Sequence, residues 1–290
     1  MGHPFDLQDH ASWVNWARAK IEQAPRSSAE LIVEVRDPSR LTDAEMQACL
    51  ERIRRCNMVC YASPRIGDDP NIPCRLAAQF GLTRRDANWL ADEDGLSRIE
   101  VRDTATRVPY IPYTDRPIQW HTDGYYNPPE RTIRAMLLHC VRPATTGGVN
   151  RLMDPDMAYL ELRRLDPGHI LALMQPDAMT IPAREEDGAL RPSQSGPVFS
   201  VSPTGALHMR YTARTRSIQW RDDEATKAAV KALETLLASD HPSIHGIRLE
   251  AGMGLLCNNV LHNRSAFTDK EEAPRLLYRA RYLERLPTTA

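Results

Sequence analysis

His121 and Asp123 stand two residues apart in Gln119-Trp120-His121-Thr122-Asp123-Gly124-Tyr125, so on an extended chain an imidazole and a carboxylate project from one face. Two imidazoles and one carboxylate on one side of an iron(II) ion, with the other positions open, make a mononuclear oxygenase centre. A third ligand must come from elsewhere in the chain, and His262, in the segment from Leu255 to Arg264, is the candidate. Thirteen residues later begins Arg275-Leu276-Leu277-Tyr278-Arg279-Ala280-Arg281. On a strand, Arg275, Arg279 and Arg281 share one face while Leu276, Tyr278 and Tyr282 take the other. A buried cationic face calls for an anion, and the planar fork of arginine suits a carboxylate held through two hydrogen bonds.

Blander readings exist for each residue. His-x-Asp alone is a common pattern that an exposed pair or a hydrogen-bonded strand couple also satisfies. His262 alone reads equally as a satisfied strand histidine, and the arginines as an exposed charged strand. Rival chemistry has less support. His241 and His245 are separated by Pro242 and Ser243, with no Glu after the first His as a zinc-protease helix requires. His139 and His208 suit supporting roles. There is neither a phosphate-cradling glycine loop nor a Gly-x-Ser-x-Gly elbow.

The chain has 290 residues, 37 Lys plus Arg, 38 Asp plus Glu and a net charge of -1. That length buries a sizeable core in one domain, 1–290, and that balance offers no global field for nucleic acid or an anionic membrane. Small-molecule ligands are expected instead. Six cysteines without a Cys-x-x-Cys pair predict reduced core thiols and a cytoplasmic setting. No secretory leader or bilayer-spanning apolar run is evident.

Residues 1–90 predict an extension of helices and strands packed on a core formed by 91–290. Helical spacing surrounds Trp13, Trp16 and Ile21; Ala29 to Val35 reads as a strand; and Thr42 to Glu45 has the form of a capping box before a helix to about Arg55. A β run follows at 57–61, a loop at 64–70 and a helix from Ile72 to Phe80, stopped by Gly81. Short strands are expected at 97–101 and 118–122. The apolar run from Ile133 to Val141 suits a strand buried on both faces. Gly147-Gly148 makes a turn, and Asp154-Pro155 caps a helix to about Leu165. Residues 183–197, rich in polar residues, Gly, Pro and Ser, read as a mobile loop able to close over a site. A helix over 222–239 and strands at 247–249, 254–257, 260–262 and 276–283 complete the pattern.

Trp120-His121-Thr122-Asp123-Gly124, Leu138-His139-Cys140-Val141-Arg142-Pro143 with Gly147-Gly148, Asp154 to Leu160, and Val260-Leu261-His262-Asn263-Arg264 with Arg275 together resemble one family. It is the iron(II)- and 2-oxoglutarate-dependent oxygenases of the taurine dioxygenase, gamma-butyrobetaine hydroxylase and clavaminate synthase group. The resemblance spans about 97–285. It implies an α+β fold with a mainly β core, a double-stranded β-helix or jelly roll with flanking helices, whose facing sheets bring together ligands far apart in the chain. It also implies His121, Asp123 and His262 as iron ligands and Arg275 as partner of the distal 2-oxoglutarate carboxylate. Arg279 would hold co-substrate or an anionic substrate. Two positions depart from the family pattern. Asn150 stands where Thr often contacts 2-oxoglutarate, and it keeps a hydrogen-bond donor; Asn263 stands where Gly usually follows the distal His.

The resemblance further implies dioxygen and 2-oxoglutarate as co-substrates, release of succinate and carbon dioxide, and hydroxylation of a small molecule; the arginines beyond the one needed for 2-oxoglutarate suit an anionic or zwitterionic one. Trp120, Tyr125, Tyr126 and Arg281 are the candidates to line its pocket. Desaturation and cyclisation use the same cofactors and stay open, as does a catalytically silent protein that binds metal and 2-oxoglutarate, to which Asn150 and Asn263 point. Asp123 argues against halogenation, since halogenases of this kind carry a small residue in place of the carboxylate. A homo-oligomer would accord with the resemblance.

Overall fold

A computed structural model describes residues 2–86, 95–101, 111–186, 189–214 and 218–288. The fold mixes helix and sheet, and two sheets organise it. The larger contains β1 (Ile32–Glu34), β2 (Met58–Ala62), β3 (Leu96–Ile99), β5 (Ala135–Arg142), β8 (Gly254–Cys257) and β10 (Leu276–Tyr282), in the order β1-β2-β8-β5-β10-β3. The smaller contains β4 (Ile118–His121), β6 (Asn150–Met153), β7 (Ile244–Ile247) and β9 (Leu261–Arg264), in the order β7-β6-β9-β4. All these pairings are antiparallel except that of β1 with β2.

Burial follows from alternation along the strands. Met136, Leu138, Leu255 and Leu277 of the larger sheet share one buried cluster with Leu152 and Ile247 of the smaller, so apolar side chains fill the space between the sheets. The intervening residues Leu137, Val141, Leu256 and Tyr278 face the other way. There they meet Ile53 of α2 (Asp43–Cys56) and Leu76 of α3 (Asn71–Gln79). Burial on both faces is what the unbroken apolar run in β5 anticipates. On the far side of the smaller sheet, Trp120, Met153 and Leu261 pack with Leu160 of α4 (Pro155–Leu165), Leu173 of α5 (Pro167–Leu173) and Leu233 of α6 (Glu224–Ala238).

The capping box of α2 forms as expected: Thr42 Oγ1 accepts from the Glu45 amide at 3.3 Å and the Glu45 carboxylate accepts from the Thr42 amide at 2.7 Å. Asp154 caps α4 with Pro155 at its first turn. Three expectations shift. The first part of 29–35 is a 3-10 turn, Ser28–Leu31, before the three-residue β1. The strand expected at 247–249 lies earlier, as β7. The N-terminal region does more than pack on a core, because β1 and β2 are strands of the larger sheet, with β2 hydrogen-bonded to β8.

His139 lies on the α2/α3 side of β5, wholly buried, with Nδ1 2.8 Å from the Tyr61 hydroxyl and no partner for Nε2. Burial pushes its pKa down from 6.5 to about 4. An unfolded chain takes up the proton near 6.5, while the folded chain resists until about 4. Stability is therefore expected to fall as pH drops through that window, by at most about 3 kcal/mol from this group, with no contribution above it. Urea unfolding at pH 7.5 and pH 5 checks this; His139→Gln is expected to lose less stability between the two pH values than the parent.

Among the described residues no helix is long and apolar enough to cross a membrane. Cys49, Cys56, Cys60, Cys140 and Cys257 are buried free thiols, and burial pushes Cys56 and Cys257 up to about 12, which leaves them unreactive.

Candidate metal centre

β9 lies beside β4 with His262 directly opposite His121, and the two imidazole ring centroids are 4.2 Å apart. Each ring is fixed by a short local contact. His121 Nδ1 is 2.8 Å from the Gln119 carbonyl, and His262 Nδ1 is 2.9 Å from the Val260 carbonyl. A carbonyl oxygen can only accept, so both Nδ1 atoms carry the proton and both Nε2 atoms present a lone pair. Burial, and after it the neighbouring His121, pushes the His262 pKa down to about 4, which keeps this imidazole neutral and able to ligate.

Asp123 sits just past the end of β4, and one ligand atom from each of His121, Asp123 and His262 lies within 4.8 Å of the others. Asp123 Oδ1 is 3.5 Å from His121 Nε2, and the buried Oδ2 makes no hydrogen bond. Burial pushes the carboxyl pKa up, but the Arg279 guanidinium foremost among its neighbours outweighs it and holds Asp123 well below the ordinary carboxylate range. Arg279 Nη1 approaches Oδ1 at 3.5 Å and Oδ2 at 3.4 Å. An ionised carboxylate with an unsatisfied oxygen, beside two imidazole lone pairs, is a donor set that fits a divalent cation.

The turn after Asp123 has its own constraint. Gly124 has φ +68°, and a Cβ there would stand 2.4 Å from Ile133 Cγ1, so only glycine fits this turn. Thr122 ties the end of β4 to the neighbouring chain, its amide donating to the Tyr211 carbonyl at 3.0 Å and its Oγ1 accepting from the Tyr211 amide at 3.1 Å.

A small cleft of about 50 Å³ opens beside the triad, lined by His121, His262, Asn150, Arg264, Arg275 and Arg279 among others. Arg275, at 5% exposure, stacks on the Phe267 ring at 5.0 Å, and Arg264 lies over the same ring at 4.7 Å. Asn150 Nδ2 is buried and has no partner. Arg264 spends its guanidinium on the carbonyls of Thr114 and Arg116, so Arg275, Arg279 and the unused Asn150 amide donor are the groups in the cleft that suit an anionic, oxygen-rich ligand. Gly147, at φ +72°, lets the Gly-Gly turn approach the chain: a Cβ there would stand 2.2 Å from the Ala266 carbonyl.

Other residues singled out from the sequence lie elsewhere. Trp120 points away from the cleft, buried at 6%, with Nε1 donating to the Leu237 carbonyl at 3.0 Å. It anchors the helical layer, as its position next to His121 on a strand requires. Tyr125 is buried in the same cluster. Arg281 is committed internally: its Nη2 donates to Asp86 Oδ2 at 2.7 Å and its Nη1 to the Tyr126 hydroxyl at 2.9 Å. Arg281 and Tyr126 thus brace each other. Within the described residues of 183–197 there is local order in place of an irregular loop: Arg184–Glu186 pairs antiparallel with Ala189–Arg191, and Gln194–Gly196 pairs with Met179–Ile181. Asn259 and Arg264, which reach the triad and the cleft, went unnoticed in the sequence; the signal at hand was their place three residues before and two after His262.

A family model described as Taurine catabolism dioxygenase TauD, TfdA family matches residues 30–281. The chain belongs to this family. Among curated proteins it is 34% identical over 170 residues to a uridine-5'-phosphate dioxygenase from an Amycolatopsis species, covering 57% of this chain and 60% of that protein. It is 33% identical over 171 residues to a uridine-5'-phosphate dioxygenase from a Streptomyces species, covering 56% and 60%. The chain therefore spans less than two thirds of the length of these relatives. Among solved structures it is similar to an asparagine oxygenase in complex with Fe(II), 3-hydroxyasparagine and succinate (TM-score 0.59, 16% identity, 98% of this chain and 86% of that chain). It is also similar to a taurine dioxygenase from Burkholderia xenovorans (TM-score 0.59, 18% identity, 89% of each chain). A non-heme iron oxygenase, OrfP, in complex with Fe and alpha-ketoglutaric acid gives a TM-score of 0.60 at 18% identity, covering 92% of this chain and 90% of that chain. At these identities the likeness to solved structures is one of fold. The TauD/TfdA match takes in the His121–Asp123–His262 triad and the cleft arginines Arg264, Arg275 and Arg279.

Proposed function

We propose that this TauD/TfdA-family chain is an iron(II)- and 2-oxoglutarate-dependent dioxygenase that hydroxylates a small anionic molecule, and that its two facing sheets are the halves of a double-stranded β-helix. The observation that carries the reading is the triad itself: two Nε2 lone pairs and the Asp123 Oδ2, which makes no hydrogen bond, side by side at the mouth of an arginine-lined cleft. His121, Asp123 and His262 would hold the iron, which when bound supplies dioxygen activation coupled to oxidative decarboxylation of 2-oxoglutarate to succinate and carbon dioxide. Arg275 grips the distal carboxylate of 2-oxoglutarate, with Asn150 Nδ2 as a further donor. Arg279 orients the Asp123 carboxylate and presents positive charge to a second anion. The substrate class is a phosphorylated nucleoside, which the printed names of the two curated relatives support. The five buried thiols support a reducing, cytoplasmic setting.

A succinate-release screen with Fe(II) and 2-oxoglutarate tests the reading, using uridine 5'-phosphate and other nucleoside monophosphates beside sulfonates, amino acids and betaines. Iron-dependent succinate with a product 16 mass units heavier is the expected result; a loss of two mass units would mean desaturation or ring closure. A protein that binds iron and 2-oxoglutarate anaerobically but never consumes 2-oxoglutarate would be a silent binder. Arg275→Leu is expected to raise the KM for 2-oxoglutarate about 10- to 100-fold, the worth of a charge-assisted hydrogen-bonded pair, while its metal affinity stays near that of the parent.

A further inference from the structure

The two ends of the triad come from different places. His121 and Asp123 belong to β4 and the turn after it, while His262 belongs to β9, reached from β8 through Asn258, Asn259 and Val260. β8 lies in the larger sheet and β9 in the smaller, so this three-residue link is where the chain crosses between sheets. Asn259 in that link has φ +49°, one of two non-glycine residues with positive φ among those described. Its side chain meets Asp123 at both polar atoms of the backbone: Oδ1 accepts from the Asp123 amide at 2.8 Å, and Nδ2 donates to the Asp123 carbonyl at 2.9 Å. Nδ2 also donates to the Ile133 carbonyl at 2.8 Å, beside the side chain that crowds Gly124. The next residue, Val260, supplies the carbonyl that orients the His262 ring.

We propose that Asn259 is the positioning residue of the metal centre, clamping Asp123 to the crossover that carries His262 so that the carboxylate and the distal imidazole keep their spacing. The proposal rests on the metal reading above. Asn suits the place for two reasons: it tolerates the left-handed backbone conformation better than most residues, and its amide offers an acceptor and two donor hydrogens on one planar group. All three of its hydrogen bonds reach backbone atoms, so the clamp acts on the position of Asp123 and leaves the chemistry of its carboxylate untouched. The neighbouring Asn258 provides a built-in control. It is equally buried, but its side chain bonds to Leu286 and Asn57, away from the triad.

The test is Co(II) binding by the metal-free full-length protein, followed through the ligand-field absorption. Wild type must bind for the metal reading to stand, which separates failure of that reading from failure of this one. Asn259→Gly keeps the backbone conformation and deletes the clamp; it is expected to weaken Co(II) binding about 10- to 100-fold, as lost outer partners of metal ligands do, with an altered ligand-field spectrum. Asn258→Ala is expected to lower the melting temperature yet bind Co(II) within about twofold of wild type. Wild-type affinity and spectrum in folded Asn259→Gly would overturn the proposal. Amide exchange in the wild-type apoprotein provides a measurement that needs no variant to fold: the Asp123 amide is expected to exchange slowly and to slow further with the 257–260 link on Co(II) loading. Fast exchange at Asp123 in the folded protein would equally overturn it.

Discussion

Asp123→Ala is expected to release no succinate above the iron-free background with any substrate that the parent accepts. The variant removes the single anionic member of the triad and leaves Arg279, whose side chain is 12% exposed, facing two imidazoles without its carboxylate. A divalent cation would then enter a site whose local charge is positive, so the loss in metal affinity should exceed the about 10- to 100-fold typical of outer-shell changes. Asp123→Glu keeps the charge and displaces it by one methylene; weak metal binding with little turnover is the outcome that separates charge from geometry. Coupled detection of succinate, with Co(II) titration of the same preparations, reads both quantities. Full activity in Asp123→Ala would remove the carboxylate from the metal site and the proposed function with it.

The His121–Asp123 pair was visible in the sequence because strand geometry imposes a period of two, so the two had to share a face wherever that segment ran extended; His262 joined them through the family resemblance. The same rule, applied one residue back, turns Trp120 away from the cleft, and the ring does pack into the helical layer. Apolar length likewise revealed β5 as a strand covered on both sides. Less legible were contacts that depend on tertiary register. Arg281 shares a strand face with Arg279, yet its partner Asp86 lies 195 residues away in sequence, and no local pattern announces the pairing. The order among the described residues of 183–197 comes from strands of three residues each, too short for alternation to stand out against Gly, Pro and Ser. Asn259 carries no motif at all; its role follows from a left-handed backbone angle and a crossover between sheets, neither of which composition encodes.

Asp86→Ala is expected to be among the most destabilising single changes in the chain. The Asp86 carboxylate is fully buried and takes Arg281 Nη2 at 2.7 Å and Arg131 Nη2 at 2.5 Å. The Arg281 side chain is 4% exposed, so loss of Asp86 leaves its guanidinium with the Tyr126 hydroxyl at 2.9 Å and the more distant charge of Asp123. Removing one partner of a buried pair costs about 3 to 5 kcal/mol, because the other charge stays buried without compensation. In a chain of this size that corresponds to a fall in melting temperature of roughly 6 to 20 °C, measurable by calorimetry. Arg131 has a different fate, since its side chain is 46% exposed and water can replace the lost carboxylate. Asp86→Ala combined with Arg281→Leu should therefore recover part of the loss, since no buried charge is left behind. A double variant no more stable than Asp86→Ala would show that Arg281 has another route to solvent or to a counter-charge, and that the strand face it shares with Arg279 is more open than its burial indicates.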